Sequence, residues 1–248
     1  MKFVWNIPNV LTLLRFFSVP IFIYLLLQPD LNSRIIAFSL FALASITDLV
    51  DGYIARRFKQ ETELGKFMDP LADKALVTAA FLTFIFLSAQ VQLWMVLIII
   101  GRDMMITAMR WLAVRKNVVL RTSVFGKVKT AFQMFSITMI LVSFLIISHK
   151  ERGAINAVYE SARAAGQGAY EVATENMLRF FSGPHVESVS YELASFVPYY
   201  LMLLTTVMTV ISGLRYLVTN YKLMLPPYAK VTPRDNPAPD NAAGDDGN

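Results

Sequence analysis

The sequence contains no cysteine and only two histidines, His149 and His185, among its 248 residues. Without cysteine the chain can form neither disulfides nor thiolate nucleophiles nor sulfur-ligated metal sites. Both histidines lie in the second half of the chain, away from the aspartates described below. Catalysis by a histidine-containing triad is therefore not expected.

Charged residues are scarce, at 17% of the chain, whereas 55% of the residues are hydrophobic and the mean hydropathy is +0.49. A bilayer-spanning helix needs about 20 largely apolar residues, and the apolar runs here approach that length. A spanning barrel would instead show short segments of alternating polarity. We therefore predict an all-α, polytopic membrane protein with six transmembrane helices, near Val10–Leu27, Ile35–Tyr53, Pro70–Leu87, Leu93–Leu112, Thr130–Ile147 and Val197–Val218.

Basic residues are distributed unevenly between the connections of these predicted spans. Of the 23 Lys and Arg residues, those in the first, third and fifth connections are only Arg34, Lys150, Arg152, Arg163 and Arg179. The positive-inside rule then predicts a multi-pass protein of the inner (cytoplasmic) membrane, with both termini and the second connection in the cytoplasm. Arg15 lies inside the first apolar segment, so we expect no cleaved signal peptide. The net charge of +5 fits this topology and attraction to anionic lipids, and indicates no nucleic-acid partner.

Two polar regions interrupt the hydrophobic pattern. We predict one membrane domain over residues 1–222, an extra-membrane excursion within it over 149–196, and a disordered, proline-rich tail over 223–248. Ala154–Phe181 is prone to form a helix, which Gly183 and Pro184 would end. The excursion is expected either to be a surface decoration or to lie on the membrane interface through Met177, Leu178, Phe180 and Phe181.

Four aspartates lie where the second and third predicted spans meet. An ionised carboxylate near hydrocarbon costs at least about 2–3 kcal/mol, so four together require compensating charge. Their helical spacing places two carboxylates on one face of each helix, with small residues beside them. The short connection makes the two helices antiparallel neighbours, so the two faces would enclose one pocket. The pattern is Asp48-x-x-Asp51-Gly52-x-x-Ala55-Arg56, eight residues, and Gly65-x-x-x-Asp69-x-x-x-Asp73.

Carboxylate ligands without nearby Cys or His favour Mg²⁺ or Mn²⁺. Four carboxylates balance two divalent ions, and a pair about 3.5–4 Å apart stabilises the entering and leaving oxygens of a phosphoryl displacement. Arg56 ends the first stripe with a guanidinium suited to phosphate, so the pocket suits a diphosphate. An alternative in which Asp69 caps a helix before Pro70, and the other acids pair with Arg56 or Arg57, explains single residues but not the whole pattern.

These residues resemble in full the signature of the CDP-alcohol phosphotransferases, Asp-x2-Asp-Gly-x2-Ala-Arg-x8-Gly-x3-Asp-x3-Asp. The resemblance implies a six-helix membrane bundle that joins a CDP-activated lipid or alcohol to a second alcohol and releases CMP. It implies that Asp48, Asp51 and Asp69 hold one metal ion and that Asp48, Asp69 and Asp73 surround a second. Asp73 would be the general base. Homodimers are common in the family, which makes a homodimer an expectation here.

The resemblance also implies residues that contact the CDP group. The stretch Asn9-Val10-Leu11-Thr12 resembles the family's nucleotide-contacting N-terminal segment. Together with the signature it implies CDP contacts from Asn9, Thr12, Gly52, Arg56, Thr62 and Gly65.

Other segments bear on the acceptor alcohol. Gly101–Arg110 and Phe125–Thr130 resemble those members of the family that make phosphatidylglycerophosphate from CDP-diacylglycerol and glycerol 3-phosphate. Asn6–Arg15 is similar both to these and to members that make cardiolipin. We therefore predict transfer of the phosphatidyl group of CDP-diacylglycerol to glycerol 3-phosphate in phospholipid biosynthesis. Asp103 stands where these members more often have Glu, and the excursion over 149–196 is longer than expected for them. Both departures bear on the identity of the acceptor alcohol and leave the reaction class unchanged.

Glycerol 3-phosphate is a dianion, so its enzyme needs cations near the acidic pocket. The predicted ligands of the acceptor phosphate are Arg110, Arg121 and Lys129. Arg102 and Asp103 lie deeper in the fourth span, where they serve either as ligands or as an ionic network within the bundle.

Other functions stay open from the sequence. The same chemistry would fit a cardiolipin synthase, or an enzyme that makes phosphatidylserine or an inositol-phosphate lipid. Intramembrane acids also occur in divalent-cation transporters, which would need a polar path across the whole bilayer, whereas these acids lie at one end. A catalytically silent homologue gains no support, because every signature position is retained.

Overall fold

The computed structural model describes residues 7–58, 63–115, 124–185 and 187–221. These residues form helices and turns, with no strand among them, which confirms the predicted all-α class. The predicted tail over 223–248 lies outside the described residues. The helices are α1 (Ile7–Leu27), α2 (Leu31–Phe58), α3 (Glu63–Leu87), α4 (Leu93–Arg115), α5 (Val124–Ile146), α6 (His149–Ala164), α7 (Ala169–Ser182), α8 (Val189–Ala194) and α9 (Val197–Thr219).

Each of the six predicted hydrophobic segments coincides with one of the long helices α1 to α5 and α9. Two stretches of the described chain, Val128–Ile146 and Val189–Thr219, are long and apolar enough to cross a membrane. Shorter apolar stretches within α1, α2 and α3 are Leu13–Leu27, Leu31–Thr47 and Lys74–Leu87. The helical prediction is thus confirmed at all six places, and the family and the apolar helices together indicate a membrane protein.

Short turns make neighbouring helices antiparallel. Residues 28–30 join α1 to α2, and residues 88–92 join α3 to α4. Helix α1 packs on both α2 and α3, and α9 packs on both α4 and α5, while α2 also contacts α5. The structure does not describe the side chains of the acidic residues, so the predicted pocket between α2 and α3 stays a prediction. We call the end where α1, α3 and α5 finish the capped end, and the opposite end, where α2 finishes and α3 begins, the signature end.

The core between the long helices is rich in buried aromatic rings. Phe22 of α1 and Phe41 of α2 are buried with ring centroids 6.0 Å apart, and Phe84 of α3 meets Phe144 of α5 edge to face at 5.6 Å. Offset or edge-to-face pairs of this kind stabilise a core beyond the area they bury. Large apolar side chains also cover the outside of the long helices, where Phe86 is 81% exposed. Such a surface suits lipid better than water.

Helices α6 and α7, within the predicted excursion, are packed against the bundle, so they are more than a decoration of its surface. Ile155, Tyr159, Val172 and Ala173 are buried and belong to the same hydrophobic core as the long helices. The segment predicted as one helix-prone stretch forms two helices, because Gly166 takes a positive φ of 85° between α6 and α7. Glycine accepts that conformation without the steric cost of a Cβ atom.

The apolar residues predicted to face the membrane interface divide into two groups. Met177 and Phe180 are partly buried against the core, whereas Leu178 and Phe181 are exposed. Helix α7 therefore packs against the bundle through Met177 and Phe180, and only Leu178 and Phe181 remain on the surface.

At the capped end, polar side chains of α6 form hydrogen bonds with backbone groups of neighbouring turns. Asn156 of α6 accepts from the Ala89 amide at 3.0 Å and donates to the Leu87 carbonyl at 3.0 Å. The Tyr159 hydroxyl donates to the Ser195 carbonyl at 2.7 Å, and its burial raises the pKa of that hydroxyl. These contacts hold α6 against the α3–α4 turn and against the turn between α8 and α9.

Two buried arginines complete the capped end. Arg34 of α2 donates to the carbonyls of Phe144, Ile147 and Pro29 at 3.0, 3.3 and 2.7 Å. Phe144 and Ile147 carry carbonyls at the end of α5 that no intrahelical amide can reach. The guanidinium of Arg152 lies 4.9 Å from the Phe144 ring centroid, and burial, with the nearby Arg34, lowers the pKa of Arg152 to about 10.

Candidate active site

The fold brings the backbones of the signature residues to one end of the bundle. Asp48 and Asp51 lie in the C-terminal part of α2, and Asp69 and Asp73 lie in the N-terminal part of α3. Their side chains are outside those described. Because α1 begins at this end and packs on both helices, three separate stretches of the chain meet here.

The predicted CDP-contacting residues fall in the same three helices. Asn9 and Thr12 lie in the first turns of α1, and Gly52 and Arg56 lie in the last turns of α2. Gly65 lies in the first turn of α3. Their side chains are outside those described, and Thr62 and Arg121 lie outside the described residues altogether.

One carboxylate, Asp103 of α4, organises the described polar side chains of this half of the bundle. The Lys129 ammonium of α5 donates to both of its oxygens at 2.8 Å, and the Arg102 Nη1 donates to Oδ1 at 2.9 Å. Lys129 and Arg102 are 3% and 14% exposed, and Asp103 is 22% exposed. A carboxylate shared between two largely buried cations offsets part of the cost of removing each from water.

The Lys129 ammonium contacts three side-chain oxygens. Besides the two oxygens of Asp103, it donates to the side-chain oxygen of Gln133, one helical turn further along α5. Gln133 is itself buried. The predicted acceptor ligand Lys129 is therefore anchored within the bundle, whereas Arg110, the other described candidate, is exposed.

Lys74 connects this network to the helix that carries the second aspartate pair. Its ammonium donates to the Asp103 backbone carbonyl at 3.2 Å and to the Thr107 hydroxyl. Thr107 in turn donates to the same Asp103 carbonyl at 2.7 Å. Lys74 directly follows Asp73, so the α4 residues are tied to the turn of α3 next to the signature.

The antiparallel contact between α3 and α4 sets the level of Arg110. Each helical residue advances about 1.5 Å, so Arg110 lies about 4.5 Å beyond Thr107 in the direction in which α3 runs back toward Asp69. Residues 103, 107 and 110 also share one face of α4. Arg110 therefore lies on the side of Thr107 that is nearer to the signature end.

Helix α9 closes the network on the side away from α3. The Arg102 Nη2 donates to the Ser212 hydroxyl at 2.7 Å. A Cβ atom on Gly213 would lie 3.1 Å from Cγ of Arg102, so a glycine at this position leaves room for the arginine stem. The sequence contains no signal for Ser212 or Gly213, because their role depends on how α9 packs against α4.

The described charges of the network do not cancel. Arg102 and Lys129 contribute two positive charges against the single negative charge of Asp103 that they share, which leaves an excess of one among these three side chains. The Arg102 Nε is buried and has no hydrogen-bond partner among the described residues. A cationic layer of this kind, one turn from a run of aspartates, suits the binding of a small anion between the two.

Comparison with known proteins identifies the family. The model of the CDP-alcohol phosphatidyltransferase family matches residues 5–162, which include α1 to α5 and most of α6. The chain belongs to this family. It is accordingly a transferase, and the residues that carry the complete acidic signature lie within the matched range.

Curated relatives agree with this assignment. Proteins from Pseudomonas fluorescens, Bacillus subtilis and Escherichia coli K12, each named CDP-diacylglycerol–glycerol-3-phosphate 3-phosphatidyltransferase, are 40%, 35% and 36% identical to the chain over 144, 150 and 143 residues. The similarity covers 56%, 56% and 55% of this chain and 73%, 77% and 77% of those relatives. The remaining 44–45% of the chain lies outside the similarity to these relatives.

Proposed function

We propose that this protein transfers the phosphatidyl group of CDP-diacylglycerol to glycerol 3-phosphate, which yields phosphatidylglycerophosphate and CMP. The observation that carries the proposal is the pairing of a complete acidic signature in α2 and α3 with a cationic network in α3, α4 and α5 beside it. The relatives with this activity in their names support the same acceptor.

The carboxylates supply the chemistry that a divalent ion requires. Oxygen ligands suit Mg²⁺ or Mn²⁺, and we propose that Asp48, Asp51, Asp69 and Asp73 hold two such ions. When bound, the ions would neutralise the diphosphate and polarise the phosphorus under attack. Gly52 and Gly65 would let the nucleotide approach the helices closely, and Arg56 would contact its phosphates.

The remaining steps belong to the side chains of the protein. Arg110, with Arg121 and the anchored Lys129, would hold the phosphate of glycerol 3-phosphate so that its primary hydroxyl points toward α3. Asp73 would take the proton of that hydroxyl as general base. The hydroxyl oxygen would form a bond to the phosphatidyl phosphorus as the bond from that phosphorus to the CMP oxygen breaks, and CMP would leave.

An acceptor panel tests this function. The purified full-length protein, in lipid–detergent micelles with labelled CDP-diacylglycerol, is assayed for CMP release with glycerol 3-phosphate, phosphatidylglycerol, serine or inositol phosphate. We expect CMP and phosphatidylglycerophosphate only with glycerol 3-phosphate, only when Mg²⁺ or Mn²⁺ is present, and none after chelation with EDTA. Release with phosphatidylglycerol but not with glycerol 3-phosphate would instead establish a cardiolipin synthase.

We also propose that α1 to α5 and α9 all span the membrane, with both termini and the signature end in the cytoplasm. The unequal distribution of basic residues between the connections supports this orientation. Because the chain has no cysteine, single cysteines at Lys150 and Asn248 can be labelled one at a time in intact cells with a membrane-impermeant maleimide. Labelling at 150 but not at 248 is expected, and the reverse pattern would invert the topology.

We further propose that the protein forms a homodimer, as is common in the family. Light scattering of the purified protein, corrected for bound detergent, measures the mass of the assembly. A mass of two chains is expected, and a mass of one chain would remove this part of the proposal.

A further inference from the structure

Asp103 of α4 contacts α3 and α5 directly and is connected to α9 through Arg102. Its carboxylate contacts Arg102 of α4 and Lys129 of α5, and its carbonyl accepts from Lys74 of α3. Arg102 extends the contacts to Ser212 of α9. No other described carboxylate contacts two basic side chains.

We propose that Asp103 is the positioning residue of the acceptor site, which fixes the two cations Lys129 and Arg102 beside the face of α4 that carries Arg110. The inference rests on the proposed function, because it names the residue that prepares the same site for the acceptor's phosphate. Asp103 itself would not contact that phosphate, since two anions repel at short range.

The first argument concerns the freedom of the lysine side chain. Lysine has a flexible stem and a point-like charge, so its ammonium takes a defined position only when fixed partners hold it. Here the ammonium contacts both carboxylate oxygens of Asp103 and the side-chain oxygen of Gln133. Removing the carboxylate would leave a buried ammonium with a single described partner.

The second argument concerns the repulsion between the cations. Lys129 and Arg102 contact the same carboxylate oxygen, Oδ1, at 2.8 and 2.9 Å, so their charges are close together in a largely buried place. Like charges at this depth repel strongly unless an anion lies between them. Without Asp103 the two side chains would separate, and the layer of positive charge would lose its shape.

The third argument concerns the link to Arg110. Lys74 and Thr107 both donate to the Asp103 carbonyl, which fixes this turn of α4 against the turn of α3 that follows Asp73. Arg110 lies on the same face of α4, seven residues after Asp103. Because both bonds go to the backbone carbonyl, a side-chain change at Asp103 leaves this contact between α3 and α4 in place and acts on the cations Lys129 and Arg102 alone.

Asp103→Asn is the variant that tests this role, because it keeps the shape of the side chain and removes its charge. We expect the KM for glycerol 3-phosphate to rise about tenfold, the factor that corresponds to one weakened charge-assisted hydrogen bond. The KM for CDP-diacylglycerol is expected to stay unchanged, because that substrate binds to α1, α2 and α3 in the proposed function. Asp103→Glu, which retains the charge, is expected to restore most of the acceptor affinity.

A double variant separates a positioning role from an independent contact. If Asp103 acts through Lys129, Asp103→Asn combined with Lys129→Met should have nearly the KM of Lys129→Met alone. Independent contacts would instead multiply, to about a hundredfold increase over the wild type when each single change costs about tenfold. The double variant carries no uncompensated buried charge from this pair, so it is expected to fold even if Asp103→Asn does not.

Asp30→Asn is the matched control. Asp30 is exposed at the capped end, where it accepts from the Ser33 amide at 2.8 Å, so the same chemical change there should leave both KM values unchanged. An unchanged acceptor KM in Asp103→Asn, equal increases in both KM values, or multiplicative effects in the double variant would each overturn the inference. A wild type that releases no CMP with glycerol 3-phosphate would defeat the proposed function and this inference together, whereas the other outcomes defeat this inference alone.

Discussion

The capped end and the signature end of the bundle are stabilised by different kinds of polar contact. At the capped end, Arg34, Asn156 and Tyr159 bond to backbone groups of other helices and turns. Toward the signature end, Asp103, Lys129 and Arg102 bond to one another through charged side chains. The hydrogen bonds to backbone groups at the capped end hold helices and turns together. The charged side chains near the signature end can also attract an anionic substrate.

This difference assigns separate tasks to the two ends. The capped end satisfies carbonyls and amides that the ends of α3 and α5 leave without intrahelical partners, so it contributes to stability. The signature end holds like charges close together, which costs stability and prepares a site for substrates of opposite charge. Variants at the first end should change unfolding, and variants at the second should change turnover.

Asp73→Asn should give the largest effect and should change activity alone. Loss of a general base lowers turnover by about 10²- to 10⁴-fold, and loss of a metal ligand would add to this. CMP release under saturating substrates measures the effect, and thermal unfolding measures the fold. Glu160→Gln on the exposed side of α6 is the control and should retain full activity. Wild-type turnover in Asp73→Asn would remove Asp73 as the base.

Arg34→Met should give the largest loss of stability. The change leaves the carbonyls of Phe144 and Ile147 without the guanidinium that bonds to them, and we expect the free energy of unfolding to fall by about 3 kcal/mol. Thermal unfolding in detergent measures the loss. Arg163→Met removes an exposed arginine that makes one bond to Gln92, and it should change the midpoint little. Equal midpoints for both variants would contradict the importance of this cap.

Asn156→Ala should have a smaller effect at the same end. The variant loses one bond to the Leu87 carbonyl and one from the Ala89 amide, which we expect to cost about 2 kcal/mol. Thermal unfolding in detergent measures the loss. The control is Asn32→Ala, at an exposed asparagine in the first turn of α2. If Asn156→Ala lowered turnover per folded molecule as well, the separation between the two ends would be incomplete.

Ser148→Ala should give the smallest effect. The Ser148 hydroxyl accepts from the Glu151 amide at 3.1 Å, and the Glu151 carboxylate accepts from the Ser148 amide at 2.7 Å, which is a capping box at the start of α6. Loss of a serine cap costs about 1 kcal/mol, measurable as a shift of the unfolding midpoint. Lys150→Ala in the same turn is the control.

The same capping box should depend on pH. Hydrogen bonds from Ser148 lower the pKa of the Glu151 carboxyl below its ordinary value of 4.5. A lowered folded-state pKa means that the contribution of Glu151 is fully present above pH 4.5 and is lost as the pH falls through the folded-state pKa. The difference in unfolding midpoint between wild type and Glu151→Gln should therefore shrink in acid. A difference that grows as the pH falls would contradict this account.

The helices and the acidic signature could be read from the sequence because both are local patterns. Apolar runs of bilayer length predicted the positions of α1 to α5 and α9, and the spacing from Asp48 to Asp73 led to the family that the comparisons show. The excursion was predicted less well. Its apolar positions signalled a helix, but the packing of Ile155 and Val172 against the long helices depends on contacts between distant parts of the chain.

The cationic side of the site was predicted only in outline. Lys129 could be proposed from its place at the start of an apolar run, but its burial against Asp103 and Gln133 could not. Lys74 directly follows Asp73, and that adjacency is a signal that sequence reasoning missed. Ser212 offers no such signal, since it reaches Arg102 only because α9 packs beside α4.

By itself, the sequence determined the helical class, the acidic signature and the family, because helix formation and the spacing of residues along one helix depend on neighbours in the chain. Only the tertiary structure decided that one carboxylate, Asp103, would gather cations from two helices and that α6 would close the opposite end. Those arrangements depend on which helices become neighbours, and that choice follows from the packing of the whole core.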